Sequence, residues 1–173
     1  MQNIEFKAEL RNLEAARRQC ALLAARHVAD LRQTDTYYKL TTGRLKRRET
    51  QGRPVEWIVY DRRDVVYPRL SSFTILTEKQ ARVRWGTMSL KPWLVVIKHR
   101  ELWMLNYVRI HLDIVDRLGT FIEFEAKVSK RHDARQCRMA VDHLREAFGP
   151  VLGEPIGASY CDLIEQLSLE KPC

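Results

Sequence analysis

The chain has 173 residues, 45% of them hydrophobic and 30% charged, and this length and composition predict one globular domain with a sizeable core. No run approaches the roughly 18 apolar residues that a membrane helix needs, and charged residues interrupt the region where a signal peptide is apolar. The cysteines (Cys20, Cys137, Cys161 and Cys173) form no CxxC pair, so neither a zinc site nor a disulfide framework is predicted. We expect one cytoplasmic domain over residues 1–173 with reduced cysteines.

The net charge of +8 favours an anionic partner. Nucleic acid, membrane headgroups and a phosphorylated small molecule all meet this condition. A basic surface that is only solvated would give the same net charge. The positions of the charges along the predicted strands must therefore decide between these alternatives.

The first predicted element is a strand, because Asn3–Leu10 alternates with a period of two residues. One face carries Asn3, Glu5, Lys7 and Glu9, and the other carries Ile4, Phe6, Ala8 and Leu10. An amphipathic helix is predicted next, with Asn12 as its N-cap and an end near Arg26.

A hairpin is predicted within Gln33–Glu49, with its turn at Thr41–Gly43. Five of the six residues in Arg44–Glu49 are charged, which is unusual for a core strand. One interpretation is an exposed edge strand that its charges protect from aggregation. The other places Lys46 and Arg48 on one face, directed at an anion.

Further strands and three more helices are predicted in the rest of the chain. Strands are predicted at Glu56–Arg62, from Arg69 and Ser71 onward, at Trp93–Arg100, Glu101–Leu105, Val108–Val115 and Phe121–Val128. Helices are predicted at Leu76–Trp85, with Gly86 as C-cap, at Asp133–Phe148, and from Ser159 to about Leu167, where Ser159 and Asp162 resemble a capping box.

About eight strands with mostly short connections predict the α+β class, with an antiparallel barrel and helices packed outside it. The apolar strand faces would pack outward on the helices that begin near Leu13 and Asp133, so the charged faces would point inward. A charged interior is costly unless its charges are paired, hydrated or bound to a ligand. The predicted inward set has seven basic and four acidic residues: Lys7, Lys46, Arg48, Arg62, Lys98, Arg100 and Arg109, with Glu5, Asp113, Glu123 and Glu125.

This mixture of charges favours a metal-bound polyphosphate. Arginine binds phosphate oxygens in bidentate fashion, and lysine supplies a point charge. Carboxylates supply the oxygen ligands that hard divalent cations prefer, and phosphate chemistry often uses such a cation. Nucleic-acid binding would instead favour basic and aromatic residues on an open face. We therefore expect neither a nucleic-acid partner nor a membrane partner.

Several motifs resemble those of the CYTH superfamily of triphosphate tunnel metalloenzymes, which includes class IV adenylate cyclases, thiamine triphosphatases and tripolyphosphatases. The family's Glu-x-Glu-x-Lys signature stands here as Asn3-Ile4-Glu5-Phe6-Lys7. Further matches lie in 43–49, 60–62, 68–71 and 96–100. The segments 109–113 and 118–125 are most similar to the bacterial class IV cyclases. The resemblance covers roughly residues 3–167 and implies a single CYTH domain.

The resemblance implies an eight-stranded antiparallel tunnel that binds a triphosphate, ATP or tripolyphosphate, with Mg²⁺ or Mn²⁺, and it leaves a homodimer open. Glu5, Glu123 and Glu125 would hold the metal, with Asp113 as a helper. Lys7, Lys46, Arg48, Arg62, Lys98, Arg100 and Arg109 would bind phosphates, and we take Glu5, Lys7, Arg48 and Arg109 as the catalytic residues. His111 is interpreted as a hydrogen-bonded barrel residue rather than a general base.

One residue departs from the family signature, since Asn3 replaces its first glutamate. An amide oxygen ligates a hard cation but brings no charge, so weaker metal binding is expected. Three functions stay open: cyclisation of ATP to cyclic AMP and pyrophosphate, hydrolysis of tripolyphosphate or an organic triphosphate, and binding without catalysis. The segments most similar to class IV cyclases favour the first. No residue that reads the base is evident from the sequence.

Overall fold

The computed structural model describes residues 1–86 and 90–169 of the chain, so Cys173 lies outside the described residues. The strands are β1 Gln2–Leu10, β2 Arg26–Lys39, β3 Arg44–Thr50, β4 Glu56–Arg62, β5 Arg69–Thr77, β6 Pro92–Leu105, β7 Val108–Val115, β8 Gly119–Lys127 and β9 Leu152–Pro155. The helices are α1 Leu13–Leu22, α2 Glu78–Trp85, α3 Ala134–Ala147 and α4 Tyr160–Leu169, with a short 3₁₀ turn at Gly149–Val151.

Eight of these strands close into an antiparallel barrel, as predicted. The strand order is β5-β4-β3-β2-β6-β7-β8-β1, and β1 closes the ring by pairing with β5. The first half of β1 pairs with β5, where Glu5 lies opposite Arg69, while its second half pairs with β9, where Leu10 lies opposite Leu152. The long strand β1 therefore joins three neighbours and places its alternating residues at the seam of the barrel.

The main hydrophobic core lies outside the barrel, between its outer face and helices α1 and α3. The apolar residues of β1, β7 and β8 that alternate with the charged ones form this core with the buried sides of the two helices. Its strand members are Ile4, Phe6, Ala8, Leu10, Val108, Ile110, Leu112, Ile122, Phe124 and Ala126, and its helix members include Ala16, Cys20, Cys137, Val141 and Leu144. Because side chains alternate across a strand, the charged residues between them face inward.

Two smaller clusters place the other helices. Helix α4 packs through Tyr160, Cys161 and Ile164 on inward residues at one end of the barrel, among them Val96 and Phe121. Helix α2 packs through Ala81 and Trp85 on Leu45 of β3. The apolar contacts of α4 therefore cover one end of the barrel.

The helix starts follow the capping residues of the sequence. The Asn12 side chain accepts a hydrogen bond from the Ala15 amide at 2.9 Å, as expected of an N-cap. Helix α3 begins with a capping box between Asp133 and Gln136. The predicted pair at the start of α4 is also present, because the Ser159 amide donates to Asp162 at 2.9 Å.

Several predicted boundaries were wrong. Helix α1 ends at Leu22 rather than near Arg26, because Ala24 adopts a left-handed conformation with φ of 56° and the chain turns into β2. Helix α2 begins at Glu78 because Thr77 caps it, while Leu76 still pairs with Trp57 in the sheet.

Two strands of the sheet, β6 and β9, differ from the prediction. The two predicted strand runs from Trp93 to Leu105 are one strand, β6, paired with β2 along its length. Strand β9 was missed because it has only four residues and contains both glycine and proline.

In the described part of the chain, no helix has the length and apolar character needed to cross a bilayer.

We expect Phe124→Ala to lower the free energy of unfolding by about 3–5 kcal/mol, because the substitution leaves a cavity in the external core. Phe124 is fully buried, and its ring centroid lies 5.3 Å from that of Phe148 and 6.1 Å from that of Phe6. Met139→Ala on the exposed side of α3 is the control and should change stability by less than about 0.5 kcal/mol. Chemical denaturation measures both, and equal effects would contradict a core located here.

Candidate metal and phosphate site in the barrel

A cavity of about 330 Å³ occupies the interior of the barrel. Ten of the eleven residues predicted to face inward line it: Glu5, Lys7, Lys46, Arg48, Arg62, Lys98, Arg100, Arg109, Glu123 and Glu125. The eleventh, Asp113, is fully buried behind the lining. The period-two alternation of six strands thus brings the predicted residues into one space.

Asp35 of β2 organises the basic side of the cavity. Its carboxylate accepts hydrogen bonds from Arg48 at 2.7 Å through both oxygens, from Lys98 at 2.8 Å and from Lys46 at 3.1 Å. Asp35 has no exposed surface, and the sheet register places it directly opposite Arg48. One buried carboxylate therefore holds three cations that come from two different strands.

Burial and the mutual charges of this group shift the pKa values of its members. Burial opposes the ionisation of Asp35, yet Arg48, Lys46 and Lys98 together hold its pKa well below its usual range. Burial lowers the pKa of Lys98 from 10.5 to about 7. The neighbouring arginines contribute to this shift, while the charge of Asp35 opposes it. The Lys98 amine therefore binds a proton more readily in the unfolded chain than in the folded one. As a result, Lys98 lowers the free energy of unfolding progressively as the pH falls from 10.5 to 7.

Asp113 positions an arginine instead of facing the cavity. Its two oxygens accept hydrogen bonds from Arg100 at 2.7 and 2.6 Å, and one also accepts from the Tyr160 hydroxyl at 2.8 Å. The same guanidinium group donates to Glu123 at 2.9 Å. Asp113 thus links the basic and acidic sides of the cavity through Arg100.

At the α4 end, backbone carbonyl groups accept hydrogen bonds from cations of the cavity. Lys7 donates to the Ala158 carbonyl at 3.2 Å, and its Nζ lies 4.1 Å from the centre of the Tyr160 ring. Arg62 donates to the Gly157 carbonyl at 2.8 Å and lies 3.2 Å from the Glu5 carboxylate. Burial lowers the pKa of Lys7 to about 8.

An acidic group composed of His111, Glu123 and Glu125 lies on the opposite wall. One ligand atom from each of the three residues lies within 4.8 Å of the other two. Burial and the charge of Glu123 raise the pKa of the nearby Glu5, although Arg62 and Arg69 oppose this shift. Carboxylates that repel each other in this way are the surroundings that a divalent cation stabilises.

Asn3 provides a direct test of whether these residues fit a metal. Its Oδ1 atom is buried and has no hydrogen-bond partner, while its Nδ2 atom lies 3.5 Å from Glu125. A buried carbonyl oxygen without a partner is unfavourable by about 1–3 kcal/mol. Oxygen donors from Asn3, Glu123 and Glu125 are suitable for a hard divalent cation, so the residues present fit the expected metal.

Sequence reasoning missed Asp35 and assigned His111 no part in the acidic group. Asp35 had a usable signal, since Gln33, Asp35 and Tyr37 alternate on the strand that precedes the Lys46–Arg48 pair. Its role depends on the register between β2 and β3, which the sequence does not specify. Arg69 and Ser71, which were predicted to open a strand, lie at the start of β5. Both are buried, and Arg69 donates to Glu5 at 3.2 Å.

The family model of the CYTH domain matches residues 1–147 of the chain. The chain belongs to the CYTH domain family. CYTH proteins bind triphosphate substrates, depend on metal ions and are mostly enzymes. No curated protein sequence matches the chain.

Solved structures share the CYTH fold at low sequence identity. A proposed adenylate cyclase from Vibrio parahaemolyticus is 19% identical with a TM-score of 0.74, covering 94% of this chain and 97% of that one. The PH1012 protein of Pyrococcus horikoshii is 19% identical with a TM-score of 0.72, covering 93% and 98%. A proposed adenylyl cyclase from Hippeastrum, described as having a dominant triphosphatase activity, is 12% identical with a TM-score of 0.58, covering 100% and 98%. These similarities establish the fold and not the reaction.

Asp35→Asn tests the basic side of the cavity. We expect the free energy of unfolding to fall by about 3 kcal/mol, because three cations lose their buried counter-charge. We also expect tripolyphosphate to raise the melting temperature of the variant more than that of the wild type, since the ligand no longer competes with Asp35. Chemical denaturation and thermal titration measure the two effects.

Asp61→Asn is the matched control, because Asp61 lies exposed on β4. It should leave stability within about 0.5 kcal/mol of the wild type and should not alter the effect of tripolyphosphate. If Asp35→Asn behaves like Asp61→Asn, the assigned role of Asp35 is wrong.

Proposed function

We propose that this CYTH protein is a divalent-metal-dependent enzyme that binds ATP in the barrel and converts it to cyclic AMP and pyrophosphate. The observation that carries the proposal is the convergence of basic and acidic residues on one cavity. The strands that carry Lys46, Arg48 and Lys98 form its basic wall, and those that carry Glu123 and Glu125 form its acidic wall. A triphosphate with its metal carries both charges that these walls complement.

The basic wall binds the phosphate chain in this proposal. Lys46, Arg48 and Lys98 already share one carboxylate, so a triphosphate bound there takes over the role of Asp35 with more charge and more acceptor oxygens. Lys7, Arg62, Arg100 and Arg109 provide the remaining cations along the cavity. The cations are held in place before the ligand arrives, so they stabilise charge that develops on the phosphoryl oxygens at little reorganisation cost.

The acidic wall would hold the metal, Mg²⁺ or Mn²⁺, through Glu123 and Glu125 with help from Glu5. A metal bound there would supply charge neutralisation for the phosphate oxygens and Lewis-acid activation of the attacking hydroxyl. Glu5 is paired with Arg62 and Arg69, each at 3.2 Å, and this pairing fixes its carboxylate next to the acidic group. Lys7, opposite Glu123 in the sheet, lies between the two walls and is assigned to the leaving phosphates.

Apolar side chains in the same cavity support an organic triphosphate. Leu31, Ile58, Phe73, Ile75 and Leu102 line it together with the charged residues. Ile75 is 40% exposed, so this apolar part is open to solvent. An inorganic polyphosphate gains nothing from such a surface, whereas a nucleoside buries apolar area against it. The similarity of residues 109–113 and 118–125 to class IV cyclases further favours ATP.

Hydrolysis of a triphosphate is the second candidate. The same two walls would bind the phosphates and the metal, with water as the nucleophile in place of the ribose hydroxyl. The relative from Hippeastrum is described as having a dominant triphosphatase activity, which shows that this fold accommodates such a reaction. The neutral Asn3 at the acidic wall supports a third outcome, binding without turnover.

One assay separates these candidates. Purified protein is incubated with Mn²⁺ or Mg²⁺ and either ATP or tripolyphosphate, and the products are identified by chromatography. Cyclic AMP from ATP is the expected result. Orthophosphate without cyclic AMP would instead identify a hydrolase, and a rise in melting temperature without product would identify a binding protein. The absence of any product together with the absence of a melting shift would contradict all three candidates.

A pair of neighbouring substitutions on β3 tests the site itself. Lys46→Gln should lower kcat/KM by about 100-fold or more, because it removes a preorganised cation from the cavity. Asp35 keeps Arg48 and Lys98, so we expect this variant to fold. Arg47→Gln is the control, since Arg47 points outward to Glu49 and Glu78 and should leave kcat/KM within about twofold. Equal losses in both variants would place the site elsewhere.

A further inference from the structure

His111 lies close enough to Glu123 and Glu125 for all three side chains to bind one cation. It lies on β7 directly opposite Glu123 of β8 in the sheet register, so both side chains face the cavity. Its Nδ1 atom lies 3.4 Å from Glu123 Oε2 and 4.0 Å from Glu125 Oε1. The side chain is only 5% exposed, which fixes the ring beside the carboxylates.

Asn3 provides an independent sign that a ligand binds at this point. The residue is 4% exposed, lines the cavity and lies beside Glu125, yet its buried Oδ1 atom has no partner. Buried polar atoms of native proteins are nearly always satisfied, by the protein or by a bound species. Asn3 faces Glu125 with its Nδ2 atom, and rotation of the amide by half a turn brings Oδ1 to that position, where a cation held by Glu125 and its neighbours would supply the missing partner.

We propose that His111 is a nitrogen ligand of the metal in the barrel and that the centre therefore prefers Mn²⁺ or Co²⁺ to Mg²⁺. The donor set is His111, Glu123 and Glu125, with the neutral oxygen of Asn3 where the family signature has a charged one. Imidazole nitrogen binds transition metals far better than Mg²⁺, which prefers oxygen ligands. The inference rests on the proposed function, since it concerns the metal of that site.

A second group of potential ligands lies outside the barrel and serves as an internal control. It consists of His27, Asp30 and Glu101, whose ligand atoms also lie within 4.8 Å of one another. Both His27 and Asp30 are exposed to solvent, whereas the His111 side chain is only 5% exposed. We therefore assign no metal to it.

Electron paramagnetic resonance of Mn²⁺ tests the proposal in the wild-type protein and in His111→Gln and His27→Gln. Pulsed spectra should show coupling to a ¹⁴N nucleus in the wild type and in His27→Gln, and this coupling should disappear in His111→Gln. Titration should show Mn²⁺ affinity at least about tenfold lower in His111→Gln. Competition with Mg²⁺ should show Mg²⁺ affinity changed by less than about threefold.

Labelling with ¹⁵N-histidine keeps the test valid if His111→Gln does not fold. In the labelled wild-type protein the ¹⁴N coupling should be replaced by a ¹⁵N coupling. The proposal is overturned if the wild type binds no Mn²⁺, if its bound Mn²⁺ shows no histidine coupling, if the coupling persists in folded His111→Gln, or if it is lost in His27→Gln.

Metal-free tripolyphosphate separates this inference from the proposed function. If tripolyphosphate raises the melting temperature of the wild type but Mn²⁺ shows no histidine coupling, only the assignment of His111 fails. If the coupling is present but tripolyphosphate causes no shift, the proposed function fails and the assignment of His111 stands.

Discussion

The structure depends on the neutralisation of charges inside a closed barrel. An isolated charge in such a space is strongly unfavourable, so each cation needs a counter-charge or a hydrogen-bond acceptor. Asp35 supplies the counter-charge for Lys46, Arg48 and Lys98, and Asp113 supplies the counter-charge for Arg100. The compensation is incomplete, since Lys46, Arg48 and Lys98 share a single carboxylate. In the function proposed above, this residual positive charge is what attracts the polyanion.

The position of the hydrophobic core follows from this arrangement. In most small barrels apolar side chains fill the interior, whereas here the main apolar cluster faces outward and is covered by α1 and α3. The fold therefore obtains its stability from the outer surface of the barrel and keeps the interior free for chemistry. Phe124 illustrates the division, because it packs outward on Phe148 while its neighbours Glu123 and Glu125 line the cavity.

Much of the fold and the lining of the site could be predicted from period-two alternation together with the family motifs. The alternation of Asn3–Leu10 and Phe121–Val128 indicates which side chains share a face, and ten of the eleven residues assigned inward line the cavity. Asp35 could not be found in this way because its partners depend on strand register. The proximity of His111 to two glutamates depends on register as well. The place where α1 ends was missed because the left-handed conformation of Ala24 has no glycine signal.

A crystal structure of the protein with tripolyphosphate and Mn²⁺ tests the central claim most directly. We expect a phosphate chain inside the barrel in contact with Lys46, Arg48 and Lys98. We also expect an anomalous Mn²⁺ peak beside Glu123 and Glu125. A phosphate chain bound only on the outer surface, or a Mn²⁺ peak beside Glu101 with none in the barrel, would contradict it.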